Sequence, residues 1–180
     1  MLTCRVPRFA ALLVLAAAVL AGCTPSTSAS SPTPTMSATS ASPTPTLSEG
    51  QKAANDTVVK YRAMIDELRS QDMPDISRLA ALARDDAYVK WGRVIQNDFQ
   101  NGYHQVGVTT ISITSTDPGT SARQWLVAGC LDMSKADLID KNGKSGLATS
   151  AGKQQANYAV DQDPQSLAWY VTKDDTGASC

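Results

Sequence analysis

The chain begins with a short apolar run that stops at a cysteine and is followed by a long uncharged stretch. The run from Phe9 to Ala21 is shorter than the roughly twenty residues that a helix needs to cross a membrane. After Cys23, residues 24–47 consist almost entirely of Ser, Thr, Pro and Ala. Such a composition cannot bury enough apolar surface to fold. A folded domain is therefore expected only from residue 48 onward.

The leader has the features of an export signal. Arg5 and Arg8 precede its apolar centre, and small residues precede the cysteine. Residues 20–23 read Leu-Ala-Gly-Cys, which resembles the signal of bacterial lipoproteins (the lipobox). This resemblance implies cleavage between Gly22 and Cys23, acylation of Cys23, and attachment to the lipid bilayer on the extracytoplasmic face of the cell membrane. Two or three acyl chains anchor a protein stably without a transmembrane helix. The alternative is an ordinary cleavage site that happens to lie beside a cysteine.

Three segments are therefore predicted: a signal peptide over residues 1–22, a lipidated cysteine with a disordered tether over 23–47, and one domain over 48–180. The tether can extend to about 70 Å in polyproline geometry, and its composition also suits O-glycosylation. The formal charge is −1, and removal of the leader takes away two arginines and no acid. The remaining 14 basic and 17 acidic residues leave no basic excess to hold nucleic acid, which is not a predicted partner.

Helices dominate the first third of the domain. Ser48 and Gln51 form a capping box before an apolar stripe at helical spacing. A short second helix is predicted over residues 75–83, with Pro74 in its first turn. Asp85 and Asp86 favour a third helix start, and Asn101-Gly102 is typical of a helix end.

Strand-like patterns follow. In residues 103–115, apolar and polar residues alternate, and the alternation slips by one residue at a single point. This pattern predicts one long strand that is bent by a bulge. Residues 122–133 are apolar on both faces, as expected for a central strand. Asn142-Gly143 indicates a hairpin with a type I′ turn. Residues 155–161 and 166–173 are predicted to pair as a last hairpin. Helices followed by antiparallel strands predict an α+β domain.

The element order and several short motifs resemble the nuclear-transport-factor-2-like (cystatin-like) superfold, and in particular small actinobacterial lipoproteins. The motifs are VAGCLDMS at 127–134, LIDKNGKS at 138–145, AWYVT at 168–172 and a final Cys180. The resemblance implies N-terminal helices packed on a curved antiparallel sheet that forms a cone.

The same resemblance implies a non-catalytic binding or accessory role in the cell envelope, with an envelope protein or a small apolar ligand as partner. Surface protection, including exclusion of superinfecting phage, and service to a cell-wall enzyme are both open within this class. The alternative from a different class is a small isomerase or cyclase, since the superfold includes such enzymes.

The cysteines predict one disulfide. The chain has four cysteines; Cys4 is discarded with the leader, and Cys23 is the lipidation site. Cys130 and Cys180 remain together outside the cytoplasm, where disulfides form. The alternative is a pair of buried free thiols.

Catalytic, metal and cofactor sites are not predicted. His104 is the only histidine, the cysteines lack zinc-type spacing, and most of the acidic residues are interpreted as solvated at helix starts, on polar helix faces and in turns. Six aromatic residues are either parts of a packed core or the lining of a small apolar pocket in the cone. These candidates are Tyr88, Trp91, Phe99, Trp125, Tyr158 and Trp169.

Overall fold

The computed structural model describes residues 47–146 and 152–180. The predictions for the signal peptide, for Gly22 and Cys23 and for the tether up to residue 46 lie outside these residues. Within the two described ranges, no helix combines the length and the apolar character needed to cross a membrane.

The first helix, α1 (Glu49–Arg69), begins as predicted. The Ser48 hydroxyl accepts a hydrogen bond from the Gln51 backbone N–H at 3.2 Å, and the Gln51 side chain accepts one from the Ser48 N–H at 2.8 Å. This capping box satisfies two donors that the helix itself leaves free. An apolar stripe then faces the core over about four turns. Its members are Ala54, Val58, Tyr61, Ile65 and Leu68.

The predicted second helix is a short 3₁₀ helix, Ile76–Ala81. Pro74 is not in its first turn, because Asp75 caps it by accepting a hydrogen bond from the Ser77 N–H at 3.1 Å. The third predicted helix is α2 (Asp85–Gln100), and the turn after it places Gly102 at φ +72°. A glycine tolerates this left-handed conformation at little cost, which confirms the predicted helix end.

The described ranges contain six strands, which form two antiparallel sheets. They are β1 (Tyr103–Gly107), β2 (Thr110–Pro118), β3 (Gln124–Asp132), β4 (Ala136–Asp140), β5 (Lys153–Gln162) and β6 (Trp169–Ser179). The larger sheet has the order β2-β3-β5-β6, and β1 pairs with β4 separately. The central position predicted for residues 122–133 from their apolar faces is confirmed, because β3 lies between β2 and β5.

The prediction of one long strand over residues 103–115 is wrong. The segment contains β1 and β2, which belong to different sheets. The break falls at Gly107, whose φ of +72° turns the chain and whose Cα lies against the carbonyl of Lys135, leaving no room for a side chain. The phase change in the sequence therefore marks a break between two sheets.

The prediction of a type I′ turn at Asn142-Gly143 is also wrong. A type I′ turn needs positive φ at both central residues, but only Gly143, at +77°, has it. The Gly143 N–H donates to the Asp140 carbonyl, and the Asp140 N–H donates to the Lys144 carbonyl, both at 2.9 Å. A type I turn followed by a left-handed glycine fits this pattern.

Helix α1 runs antiparallel to β2, and hydrogen bonds connect the two near both ends of the strand. The Gln51 amide donates to the Thr116 carbonyl at 3.0 Å, and the Thr109 N–H donates to the Asp66 carboxylate at 2.6 Å. Both helices pack on one face of the four-stranded sheet, with Leu131 and Tyr158 buried at the interface. The α+β class with helices on an antiparallel sheet is therefore confirmed.

Candidate functional site

The disulfide predicted between Cys130 and Cys180 is present. The two Cα atoms are 6.0 Å apart, within the range that a disulfide spans. The bond joins β3, at the centre of the larger sheet, to the residue that follows β6. It closes a loop with a sequence separation of 50 residues.

The core of the domain contains a charged cluster, which we call the Asp174 cluster. One carboxylate oxygen of Asp174 accepts hydrogen bonds from the Trp91 indole N–H at 2.6 Å, the Tyr61 hydroxyl at 3.1 Å and the Arg62 guanidinium at 3.3 Å. The Lys90 ammonium lies 3.5 Å from the other carboxylate oxygen and donates to the Asp174 backbone carbonyl at 2.6 Å. The cluster therefore joins α1, α2 and β6.

The Asp174 cluster is buried, and this burial limits its role to a structural one. The Asp174 side chain is 0 % exposed and that of Arg62 is 5 % exposed. Burial, together with the neighbouring Asp174, raises the pKa of Tyr61 well above its ordinary value. A carboxylate that three donors surround inside the core has no path to a substrate. The hydrogen bonds and ion pairs of the cluster therefore stabilise the packing of α1 and α2 on β6.

The interpretation of the acidic residues as solvated is wrong for three of them. Asp66, Asp98 and Asp174 are buried. Asp98 accepts a hydrogen bond at 2.9 Å from Arg69, which also donates to Gln105 at 3.0 Å. These contacts join α1, α2 and β1, so the buried acids connect elements of the fold.

The six candidate pocket aromatics lie at several different places. Trp91 and Tyr158 are buried in the core, where Tyr158 packs edge-to-face against Tyr61 with ring centroids 6.3 Å apart. Phe99 is 43 % exposed near Met73. The other three are half-buried at the edge of the core. They are Tyr88, Trp125 and Trp169.

A groove of about 450 Å³ lies between the second half of α1 and the start of β2. We call it the α1–β2 groove. Its exposed apolar walls are Val59 and Val108, which are 48 % and 58 % exposed. Arg62 and Asp66 line it from α1, and Ile111 lines it from β2. No pattern in the sequence indicates this site, because its lining combines residues about fifty positions apart.

Asp66 is held within the groove by Thr109, the residue that precedes β2. Its carboxylate accepts hydrogen bonds from the Thr109 N–H at 2.6 Å and from the Thr109 hydroxyl at 2.9 and 3.1 Å. No Lys, Arg or His in the described ranges lies within 4 Å of this carboxylate. The groove therefore combines aliphatic walls with one acidic and one basic side chain, Asp66 and Arg62, which form no direct ion pair with each other.

A second depression, of about 420 Å³, lies on the face of the larger sheet that the helices do not cover. Leu126 and the small side chains of Ala128 and Ala159 line it, with Lys173 and Asp175 at its side. Those two charged residues form an exposed ion pair at 3.1 Å. Within residues 47–146 and 152–180, no group of three or more His, Cys, Asp and Glu side chains has a metal-binding arrangement.

Comparison with models of protein families gives no match, and comparison with curated proteins gives none either. Among solved structures, the intermembrane space region of the chloroplast protein ARC6 is similar, with a TM-score of 0.58 and 18 % identity. The alignment covers 75 % of this chain and 100 % of that one. The protein Kfla4162 from Kribbella flavida gives a TM-score of 0.44 at 8 % identity, over 72 % of this chain and 93 % of that one. The first likeness indicates a shared fold.

Proposed function

We propose that this chain is a lipoprotein of the cell envelope, anchored through Cys23 on the extracytoplasmic face of the membrane, whose domain has a non-catalytic binding role. The Leu-Ala-Gly-Cys sequence at residues 20–23, directly after a basic and then apolar leader, supports the anchor. The composition of residues 24–47 supports a tether that lets the domain reach partners away from the bilayer.

We also infer the finer fold, a cone of the nuclear-transport-factor-2-like kind. Register shifts support this inference, since bulges bend and twist the strands that carry them. One shift lies between Ile113 and Ser115 in β2. Two more lie in the pairing of β5 with β6.

One observation supports a binding role over an isomerase or cyclase. One of the buried carboxylates, that of Asp174, is enclosed by Tyr61, Arg62 and Trp91. Acid–base catalysis requires the carboxylate to lie within hydrogen-bond reach of a substrate proton. The Asp66 carboxylate, in the α1–β2 groove, has both oxygens bonded to Thr109. Neither carboxylate is placed as a general base, whereas the groove has room for a ligand.

Metabolic labelling with an alkyne analogue of palmitate tests the anchor. The full chain is expressed in a bacterial host with Cys23→Ser and Cys4→Ser variants. Wild type and Cys4→Ser should both incorporate the label and sediment with membranes, whereas Cys23→Ser should lose both properties. Equal labelling of the two variants, or no labelling of the wild type, would contradict the proposal.

Crosslinking in the native envelope tests the binding role. A photoreactive amino acid at Val59, in the α1–β2 groove, is compared with the same amino acid at Val89, an exposed position on α2 that is 46 % exposed. We expect one defined adduct from position 59 and none from position 89. The same pattern of adducts from both positions would contradict a specific binding role for the groove.

A further inference from the structure

The chain contains two Asn-Gly pairs, at residues 101–102 and 142–143. A glycine has no side chain to shield its backbone nitrogen, so this nitrogen can approach the side-chain amide of the asparagine before it. Both asparagines are exposed. Both glycines have positive φ, +72° and +77°, and no described atom lies within 4 Å of the place where a Cβ would be. The two pairs therefore match in sequence and local backbone and differ in their hydrogen bonds.

The first asparagine, Asn101, is held by the end of α2. Its side-chain nitrogen donates to the Asn97 carbonyl at 2.7 Å and to the Asn97 side-chain oxygen at 3.2 Å. Its backbone N–H donates to the same carbonyl at 3.0 Å. Asp98, three residues earlier, is buried and bonded to Arg69 of α1 at 2.9 Å. The side-chain amide of Asn101 is thus fixed to a helix end that is itself fixed to α1.

The second asparagine, Asn142, lies at the tip of the turn after β4. Residues 141–146 are all exposed. The Asn142 side-chain nitrogen donates to one carboxylate oxygen of Asp140 over a long 3.4 Å, and the other oxygen accepts from the backbone N–H groups of Asn142 and Lys144 at 2.8 and 2.9 Å. Hydrogen bonds at an exposed tip exchange readily with water, so such a turn opens locally at low cost.

We propose that Asn142 is a site of spontaneous deamidation. The Gly143 nitrogen gives its proton to hydroxide and bonds to the side-chain carbonyl carbon of Asn142, which closes a cyclic imide. The carbon–nitrogen bond of the side-chain amide breaks, and that nitrogen takes up a proton from water and leaves as ammonia. Water then opens the imide at either carbonyl, giving aspartate or isoaspartate. One water enters and one ammonia leaves, and nothing is oxidised or reduced.

Asp140 protects the site by keeping the turn closed. In a type I turn the residue before the glycine has ψ near about 0°. This angle directs the Gly143 nitrogen toward the backbone nitrogen of Asn142 and away from its side chain. The turn must therefore open before the attack can occur, and the bonds that Asp140 accepts from Asn142 and Lys144 oppose the opening.

The product changes the hairpin that contains it. A new carboxylate at position 142 lies beside Asp140, and in the isoaspartate form the backbone also becomes one carbon longer. Both changes oppose the bonds that Asp140 accepts in the turn. Among the described strands, β4 pairs only with β1. We expect the weakening to remain in this two-stranded sheet and to leave the larger sheet unchanged.

Peptide mass spectrometry that separates aspartate from isoaspartate tests the proposal on the full chain, incubated at neutral and at alkaline pH. In the folded protein, Asn142 should react at least about tenfold faster than Asn101, because the amide of Asn101 must first lose its two bonds to Asn97. In urea the two rates should be similar, and the rate at Asn142 should rise with pH. Equal rates in the folded protein, or no reaction at Asn142, would overturn the proposal.

Matched variants test the protection by Asp140. Asp140→Ala should speed the reaction at Asn142 about tenfold and leave Asn101 unchanged. The control is Asp132→Ala, which removes a similar carboxylate that accepts from the Ser134 N–H at 2.9 Å outside this turn. Circular dichroism reports whether each variant folds. Equal rates at Asn142 in the two variants would refute the role of Asp140.

Hydrogen exchange tests the expected consequence. Asn142→Asp has the same sequence as the aspartate product, so it should exchange the amide hydrogens of β4 faster than the wild type, with those of β3 unchanged. Unchanged exchange along β4 would contradict the expected weakening of the hairpin. The inference goes beyond the proposed envelope role and is independent of it, because neither Cys23 nor the α1–β2 groove takes part in the reaction.

Discussion

Replacement of Asp174 by asparagine tests whether the buried cluster holds the helices on the sheet. The substitution keeps the shape of the side chain but removes its charge. The Arg62 guanidinium, whose side chain is 5 % exposed, would then be a buried cation without its counter-ion. The Trp91 indole and the Tyr61 hydroxyl could still donate to the amide oxygen. We therefore expect a large loss of stability from the unpaired charge, with the fold retained.

The expected loss of stability follows from the burial of the ion pair between Arg62 and Asp174. Breaking a buried ion pair by removing one partner costs about 3–5 kcal/mol. Since two hydrogen bonds to the amide can persist, we expect about 3 kcal/mol for Asp174→Asn. For a domain of this size each kcal/mol lowers the melting temperature by about 3–5 °C. The melting temperature should therefore fall by about 10–15 °C.

Urea and thermal unfolding followed by circular dichroism measure this loss. The control is Asp175→Asn, the next residue, whose side chain is 61 % exposed in an ion pair with Lys173; it should change stability by less than about 0.5 kcal/mol. Adding Arg62→Leu to Asp174→Asn should recover about 1 kcal/mol, because it removes the unpaired charge. Equal stability of the Asp174→Asn and Asp175→Asn proteins would refute the reasoning.

Three further predictions concern the disulfide, a glycine and the buried tyrosines. Replacing both cysteines of the disulfide by alanine should cost about 4 kcal/mol on the chain-entropy model, measured by urea unfolding under non-reducing conditions; an unchanged midpoint would contradict it. Gly107→Ala should destabilise the domain more than Gly143→Ala, because both have positive φ but only Gly107 faces a close backbone oxygen; equal melting temperatures would refute this. Burial raises the pKa of Tyr61 and Tyr158, so their contribution to stability is full below pH about 10 and is lost as pH rises further. Tyrosinate absorbance should show these two hydroxyls ionising only together with unfolding.

The parts of the fold that the sequence predicted depend on local chemistry. The capping box at Ser48, the helix end at Gly102 and the central position of β3 each follow from a pattern within a few residues. The disulfide followed from a count of cysteines after the leader was set aside. Such signals do not require knowledge of which distant segments meet.

The parts that the sequence did not predict depend on register and on long-range packing. In β6, Val171 and Asp174 both face the core although they are three residues apart, because a register shift lies between their pairings with β5. Strict alternation from Val171 would place Asp174 on the exposed face. The α1–β2 groove was missed for a related reason, since nothing in the sequence indicates that Val59 lies opposite Val108.

The residues of the Asp174 cluster are far apart in the sequence, and this affects how the domain folds. Asp174 bonds Arg62 across 112 residues and Trp91 across 83. A partly folded chain in which α1 and α2 have packed before β6 arrives would bury the Arg62 cation with no counter-ion, which is costly. Such a species should not accumulate, because the helical layer becomes favourable only once the last strand has docked. Folding is thus expected to occur in a single cooperative step, in which the pairing of β6 and the closure of the helical layer coincide.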